Sequence, residues 1–274
     1  MNYAPSILDF LSQSPDLTEV LLAPGALPMR RDRGGLTPVS DAPLSEQDVR
    51  DTLGAMASLS KTANAGIKSG VFSFGMPQRG RFRVSFMTQR GTPVASVMKV
   101  PLEVPRLTDL MSNPDEAAQV EKKFLSFRSG LLLITGASSM SANIFTYALL
   151  RTFSEIHQRA IFIIEPSITF LLRHQRSLVI QCEMGTDVDD IGAGLRAALN
   201  LNPDLIYVRD VSTAHDLALL GNAVRAQVFV VATIPILEAE TLVPHNHADL
   251  TAHHIRGLWH LDYADGPKLR VLME

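Results

Sequence analysis

Cysteine is almost absent. Cys182 is the only one in 274 residues, so no internal disulfide can form and the fold must rest on a buried core. Neither sign of charge dominates, with 25 lysines and arginines against 28 aspartates and glutamates and a formal net charge of −3. That balance argues against a nucleic-acid-binding surface spread over the whole protein, which would need a large basic excess. Long apolar runs are also missing. The longest, from Val228 to Leu237, contains Pro235 and falls far short of the roughly 20 residues needed to span a bilayer. The opening MNYAPSILDF has no basic region ahead of an apolar one and does not read as a secretory signal. No internal repeat or low-complexity segment is visible. These absences predict a cytoplasmic chain with no membrane insertion and no direct nucleic-acid contact, so that any membrane association comes through a partner.

What is present is an ordinary globular balance, 46% hydrophobic and 19% charged, with enough chain for two domains. The sequence turns on Ser129 to Ser154, SGLLLITGASSMSANIFTYALLRTFS. Leu131, Leu132, Leu133 and Ile134 form the continuous apolar run of a strand buried on both faces, and Ile144, Tyr147, Ala148 and Phe153 recur at helical spacing. The small-residue turn between them is where a phosphate-binding loop would sit. Such a loop reads G-x-x-x-x-G-K-[ST], because its glycines let backbone N–H groups close on phosphates, its lysine reaches the β/γ-phosphates and its hydroxyl binds Mg²⁺. Here Gly136 remains, but Ser141 stands at the second glycine, Ala142 at the lysine and Asn143 at the hydroxyl. Losing two charged contacts worth roughly 1.5–3 kcal/mol each weakens nucleotide binding by about two to four orders of magnitude. Gly136, Ser138, Ser139, Ser141, Ala142 and Asn143 are therefore the candidate residues of a degenerate loop. Ser141 is also a candidate helix cap, and the loop amides keep the option of an anion-binding nest.

Before this stretch, Ile7, Leu8, Phe10 and Leu11 make a short amphipathic helix, and LTEVLLAPG and ALPMRRDRGG read as strands punctuated by Pro24-Gly25 and Gly34-Gly35. Ser45 is the candidate cap of a helix whose buried stripe is Val49, Leu53, Met56 and Leu59. Phe82, Val84 and Phe86 then alternate with Arg81, Arg83 and Ser85, the period of a half-buried strand that puts both arginines on the other face. Pro101, Pro105 and Pro114 mark residues 101–115 as a linker between an α/β domain at 1–100 and a second domain at 116–274. The second alternates helix 115–127, strand 131–135, helix 143–156, strands 160–165 and 178–182, helix 187–200, strand 204–209, helix 213–223 and strand 227–233, the pattern of a mostly parallel sheet covered on both faces. IRGLWHLDY and KLRVLME flank Asp265-Gly266 as a closing hairpin.

Taken in order from about Asp16 to Met273, these segments resemble the type II/type IV secretion and type IV pilus motor ATPases, and most closely the PilT-like retraction ATPases. ALPMRRDRGGLTPV and FSFGMPQRGRFRVSFMTQRG carry the resemblance in the first domain; GLLLITG, IFIIEPSITF, QCEMGTDVDDIGAGLRAALNLNPDLIYVRD and QVFVVATIPIL carry it in the second. The resemblance implies an α/β fold, with an N-terminal α/β (PAS-like) domain followed by a RecA-like P-loop-NTPase-type domain. It places Arg81 and Arg83 where the family carries arginines that reach a neighbouring subunit's nucleotide. It leaves Glu165 and Asp210 as the residual acidic candidates. Pro166 replaces an aspartate, Thr169 a later glutamate, and Val228 and Pro235 both histidines of the family's His-box. Arg209 replaces a glycine beside Asp210, itself an aspartate in place of the family's glutamate. The segment from Glu238 to His254 is short and no counterpart of the family's C-terminal helical region follows the hairpin, so the family's hexameric ring is not carried over as it stands.

The expectation is a pseudo-ATPase with no confident catalytic residue and with ATP and Mg²⁺ binding weak or absent. It would act as a structural or regulatory subunit, as a homo-oligomer or with an active motor ATPase, beside the machine's inner-membrane platform protein. The alternative is a divergent ATP-binding or ATP-hydrolysing motor in which Arg209 or a neighbour's Arg81 replaces the lost lysine. His245, His247, His253 and His254 have no accompanying cysteine and fit no standard metal spacing, so no metal site is expected. Asp187, Asp189 and Asp190 fit a helix start, and Cys182 fits a small strand hydrophobe.

Overall fold

The computed structural model describes residues 1–32, 35–60, 68–136, 138–235, 255–262 and 268–273. The chain divides into two compact units, Met1–Leu102 with Ser167–Phe170 and Glu103–Pro166 with Leu171–Glu274.

The first unit is built on a six-stranded antiparallel sheet. Its strands are β1 (Glu19–Leu22), β2 (Met29–Asp32), β3 (Gly35–Pro38), β4 (Ser69–Met76), β5 (Gly80–Gln89) and β6 (Thr92–Val100), ordered β3-β2-β1-β6-β5-β4. Helices α1 (Ala4–Gln13) and α2 (Glu46–Ala57) supply Ile7, Leu8, Leu11, Val49 and Met56 to a core shared with Phe72, Phe74, Phe82 and Val84 of the sheet. The period-two reading of β5 holds, with Phe82 and Val84 buried between half-buried Arg81, Arg83 and Ser85. Ser45 caps α2 as expected: its Oγ accepts from the Asp48 amide at 3.1 Å while the Asp48 carboxylate accepts from the Ser45 amide at 2.8 Å. The buried stripe is different at its end. Val49, Thr52 and Met56 are buried, whereas Leu59 is 47% exposed. Ser58 is the C-cap, its amide donating to the Gly54 carbonyl at 3.0 Å, which places Leu59 beyond the last turn.

The second unit carries α3 (Leu107–Leu110), α4 (Pro114–Ser126), β7 (Gly130–Gly136), α5 (Ser139–Ile156), β8 (Ala160–Glu165), β9 (Leu178–Glu183), α6 (Ile191–Leu199), β10 (Leu205–Val208), α7 (Ala214–Arg225), β11 (Phe229–Thr233), β12 (Ile255–Asp262) and β13 (Lys268–Met273). Its seven strands run β13-β12-β7-β11-β10-β8-β9, parallel throughout except for the antiparallel pairing of β12 with β13. The expected hairpin is therefore present, with the turn at Ala264-Asp265-Gly266 outside the described residues. β7, β10 and β11 are buried along their whole length because helices cover both faces. Leu131, Leu133, Ile206, Val208 and Val230 pack against Leu195, Leu217 and Leu220 of α6 and α7, while α5 lies on β7 and β11. Gly194 lets α6 approach β8 closely, since a Cβ there would stand 3.0 Å from Ile164 Cδ1.

Local chemistry moves several expected boundaries. Within residues 101–115 the chain forms α3, and Val104, Leu107 and Met111 are buried. α5 starts at Ser139 rather than at 143, and α6 at Ile191 rather than at 187. Asp190 caps α6 by accepting from the Ala193 amide at 2.7 Å, and Asp187 instead accepts from the Glu183 amide at 2.8 Å. Half-buried Cys182 lies on β9, and burial pushes its thiol pKa up, which disfavours the reactive thiolate. No helix among the described residues is long and apolar enough to cross a membrane.

Candidate functional site

In an open parallel sheet, ligand chemistry gathers beyond the carboxyl ends of the strands. At that edge of the second unit, β7 delivers Gly136 and the small-residue loop, β8 delivers Glu165, and the residue after β10 is Arg209. Parallel pairing of Val208 with Ile164 sets Arg209 beside Glu165, and the Arg209 amide continues the ladder by donating to the Ile164 carbonyl at 3.0 Å.

The loop is closed by its own serines. Ser138, not Ser141, is the N-cap of α5: its Oγ accepts from the Ser141 amide at 3.0 Å, and the Ser141 hydroxyl accepts from the Ser138 amide at 3.0 Å. This reciprocal box engages two of the backbone N–H groups that a helix N-terminus would otherwise offer an anion. Gly136 is closely packed, since a Cβ would lie 3.0 Å from Ser141 Oγ. Ala142 is 2% exposed, and Asn143 is fully buried with its Oδ1 accepting from the Tyr207 hydroxyl at 2.8 Å. Asn143 Nδ2 is buried with no hydrogen-bond partner.

Beneath the loop lies a polar layer between α5 and the sheet. Tyr147, from α5, donates its hydroxyl to Glu165 Oε2 and accepts from Gln181 Nε2 of β9 at 2.9 Å. Arg209 is only 2% exposed. Its Nη1 stands 3.6 Å from Glu165 Oε1, its Nε 3.3 Å from Asp210 Oδ2, and its Nη2 donates to Ser139 Oγ at 3.4 Å. Asp210 adopts a left-handed backbone at φ 57°, a conformation that aspartate tolerates better than most residues. The bend is held by its amide donating to Thr233 Oγ1 at 3.0 Å and by Ser139 Oγ donating to its Oδ1 at 2.6 Å.

Burial disfavours the charged form of Glu165 and pushes its pKa from the ordinary 4.5 to about 7, against the opposing pull of Arg209 and the Tyr147 hydroxyl. Burial also weighs on the Arg209 charge, but Glu165 and Asp210 outweigh it and hold the guanidinium protonated. A carboxyl that binds its proton more tightly when folded contributes stability at low pH, and this is lost as pH rises from about 4.5 through about 7. Stability in urea should fall by up to about 3 kcal/mol between about pH 5 and about pH 8. Glu165→Gln should flatten that slope; an unchanged slope in the variant would assign the titration elsewhere.

Of the residues singled out from sequence, Ser139, Glu165 and Asp210 converge on Arg209, whereas Ser138 and Ser141 close on each other and Asn143 turns inward to Tyr207. Arg81 and Arg83 lie in the first unit. Arg81 donates from Nε to the Thr169 carbonyl at 2.8 Å and from Nη2 to that of Ile168, and Arg83 donates from Nη1 to Ser85 Oγ at 2.8 Å. Val228 is buried at the foot of β11 and Pro235 is half-buried beyond its end. His245, His247, His253 and His254 lie outside the described residues. The hydrogen-bonding roles of Tyr147, Tyr207 and Gln181 were not foreseen; for Tyr207 and Gln181 the signal was a polar group on a mostly apolar strand.

No protein-family model matches the chain. The type IV pilus ATPase PilU of Pseudomonas aeruginosa is 26% identical over 195 residues, covering 71% of this chain and 50% of its own length. The type IV pilus retraction ATPase PilT of the same organism is 30% identical over 145 residues, covering 52% of this chain and 41% of its own. The chain thus spans about half the length of the curated relatives it matches. The crystal structure of the pilus retraction motor PilT with bound ADP superposes with a TM-score of 0.76 at 21% identity, over 100% of this chain and 83% of that one. That superposition shows the fold, and the sequence relatives make this chain a homologue of the type IV pilus ATPases PilU and PilT.

Proposed function

We propose that this chain is a pseudo-ATPase, a structural or regulatory subunit of a type IV pilus or secretion machine that retains the motor fold without its phosphoryl-transfer chemistry. The observation that carries this reading is the state of the two loop positions that would hold a lysine and a metal-binding hydroxyl. They are occupied by Ala142 and Asn143, both buried, one without a polar group and the other committed to Tyr207. Phosphoryl transfer depends almost entirely on positioning and charge stabilisation, so a loop without cation or metal ligand has little to offer a triphosphate. The amides at Ser138 and Ser141 are likewise engaged within the loop. These residues do not fit Mg²⁺ and ATP. A divergent motor using Arg209 in place of the lysine is disfavoured by the same geometry, because that guanidinium is buried against two carboxylates.

The partners follow from the homology as part of this proposal. The chain works on the cytoplasmic side of the inner membrane, in an oligomer with itself or with an active motor ATPase, next to that machine's platform protein. The test combines calorimetric titration with ATP and ADP, ATP turnover, and native mass of the protein alone and mixed with an intact motor ATPase from the same source. The expected result is no turnover above background, no binding below millimolar ligand, and co-assembly with the active homologue. Robust Mg²⁺-dependent hydrolysis that disappears in Asp210→Ala would overturn the reading.

A further inference from the structure

We infer that Arg209 is a built-in counter-cation that occupies, in place of a divalent metal ion, a position framed by Glu165, Asp210 and Ser139. The inference rests on the pseudo-ATPase reading and goes further, naming the group that takes up the cation position. The frame is made wholly of oxygen: Oε1 of Glu165, both carboxylate oxygens of Asp210 and the hydroxyl of Ser139. Two carboxylates and a hydroxyl are the donor set that hard divalent ions such as Mg²⁺ or Mn²⁺ select. In this chain the guanidinium faces Glu165 Oε1, Asp210 Oδ2 and the Ser139 hydroxyl. It lies 3.6 Å from Glu165, 3.3 Å from Asp210 and 3.4 Å from Ser139, with 2% of the residue exposed.

A surface arginine would leave such a frame open to exchange with solvent cations. Burial makes the difference here, because a fully buried carboxylate such as Glu165 requires a fixed positive partner or a proton. One planar cation with several donors meets that requirement for both acids and also ties the first turn of α5 through Ser139. The same guanidinium excludes a metal ion by charge and by volume. Arg209 is in this sense a positioning residue, holding Asp210, Ser139 and the start of α5 in one arrangement that does not depend on any ligand.

The substitution Arg209→Gly removes the cation and leaves its oxygen frame. Mn²⁺ is the probe, read by electron paramagnetic resonance of free ion and by the shift of the thermal midpoint with added metal, on the full chain. The wild-type protein is expected to show no saturable Mn²⁺ binding and no midpoint shift, whereas Arg209→Gly binds at least ten times more tightly and its midpoint rises with Mn²⁺. If the variant folds only when Mn²⁺ is present, metal is replacing the guanidinium and the inference is supported. Arg209→Lys, which keeps a cation in place, should fold without metal and bind Mn²⁺ as poorly as the wild type.

Three outcomes overturn it: wild-type protein that binds Mn²⁺ as tightly as Arg209→Gly, Arg209→Gly that folds with no gain in Mn²⁺ binding, or Arg209→Gly that remains unfolded at saturating Mn²⁺. None of these depends on nucleotide. ATP turnover by the wild type would sink the functional reading on which this one rests, whereas failure of the metal experiment alone would leave the absence of turnover where it stands.

Discussion

Arg209→Met should cost the chain about 3–5 kcal/mol in urea denaturation well above pH 7, where Glu165 is ionised, the loss expected when one partner of a buried ion pair is removed and the other is left behind. The methionine fills much of the space but offers Glu165 and Asp210 no charge, so the penalty is electrostatic rather than a cavity effect. Adding Glu165→Gln to Arg209→Met should recover a large part of the loss, because a neutral amide in the same place needs no counter-charge. The double-mutant cycle gives the coupling directly, and it should exceed about 1 kcal/mol for groups in contact. A coupling near zero would mean that Arg209 acts mainly through Asp210 and Ser139, and the corresponding cycle with Asp210→Asn would then carry the interaction.

Phe124→Ala should be comparably severe, at about 3–5 kcal/mol. Phe124 is fully buried on α4, with its ring centroid 5.5 Å from that of Phe229 on β11 and 6.1 Å from that of Phe153 on α5. Phe229 continues the cluster to Phe127 at 5.5 Å, and Phe127 to Trp259 of β12 at 6.2 Å. The aromatic cluster thus fastens α4, α5 and the β12 strand to one another, and truncating its centre leaves a void that rigid neighbours cannot close. Hydrogen exchange should quicken first along α4. A loss below about 1 kcal/mol would show that the neighbouring rings can collapse into the gap.

The alternation of strands and helices in the second unit was legible because its strands are continuous apolar runs. Leu131 to Ile134, Ile161 to Ile164 and Phe229 to Ala232 leave few alternatives to a sheet buried on both sides. β5 was legible for the opposite reason, since Phe82 and Val84 alternate with arginines over a half-buried face. Caps were less so. Ser138 and Ser141 both satisfy the preference for a hydroxyl at a helix start, and only the reciprocal amide bonds identify Ser138 as the cap and Ser141 as its partner three residues on. The stripe assigned to α2 ran one turn too far because periodicity does not say where Ser58 will end the helix.

At the candidate site, the sequence showed which residue types occupy the loop but not how they are oriented. Asn143 looked like a failed metal ligand, and in the structure it is a buried partner of Tyr207. Arg209 stood out as a large charge in the place of a glycine, yet its partners come from β8 and α5 and are separated from it by 44 and 70 residues of chain. That pairing is a product of strand order. β8 and β10 are neighbours only because the chain crosses between them through β9 and α6.

The guanidinium enclosed by Glu165, Asp210 and Ser139 also constrains how this sequence can drift. Losing the arginine alone strands two carboxylates, and gaining a lysine in the loop alone brings a second cation to a place already neutralised. Either first step toward a conventional loop lowers stability before the other can compensate, and a loss of a few kcal/mol is a large part of what a domain has to spare. The arrangement therefore acts as an evolutionary ratchet. Descendants that keep the fold are expected to keep Arg209 together with its acids, or to replace all three as a set.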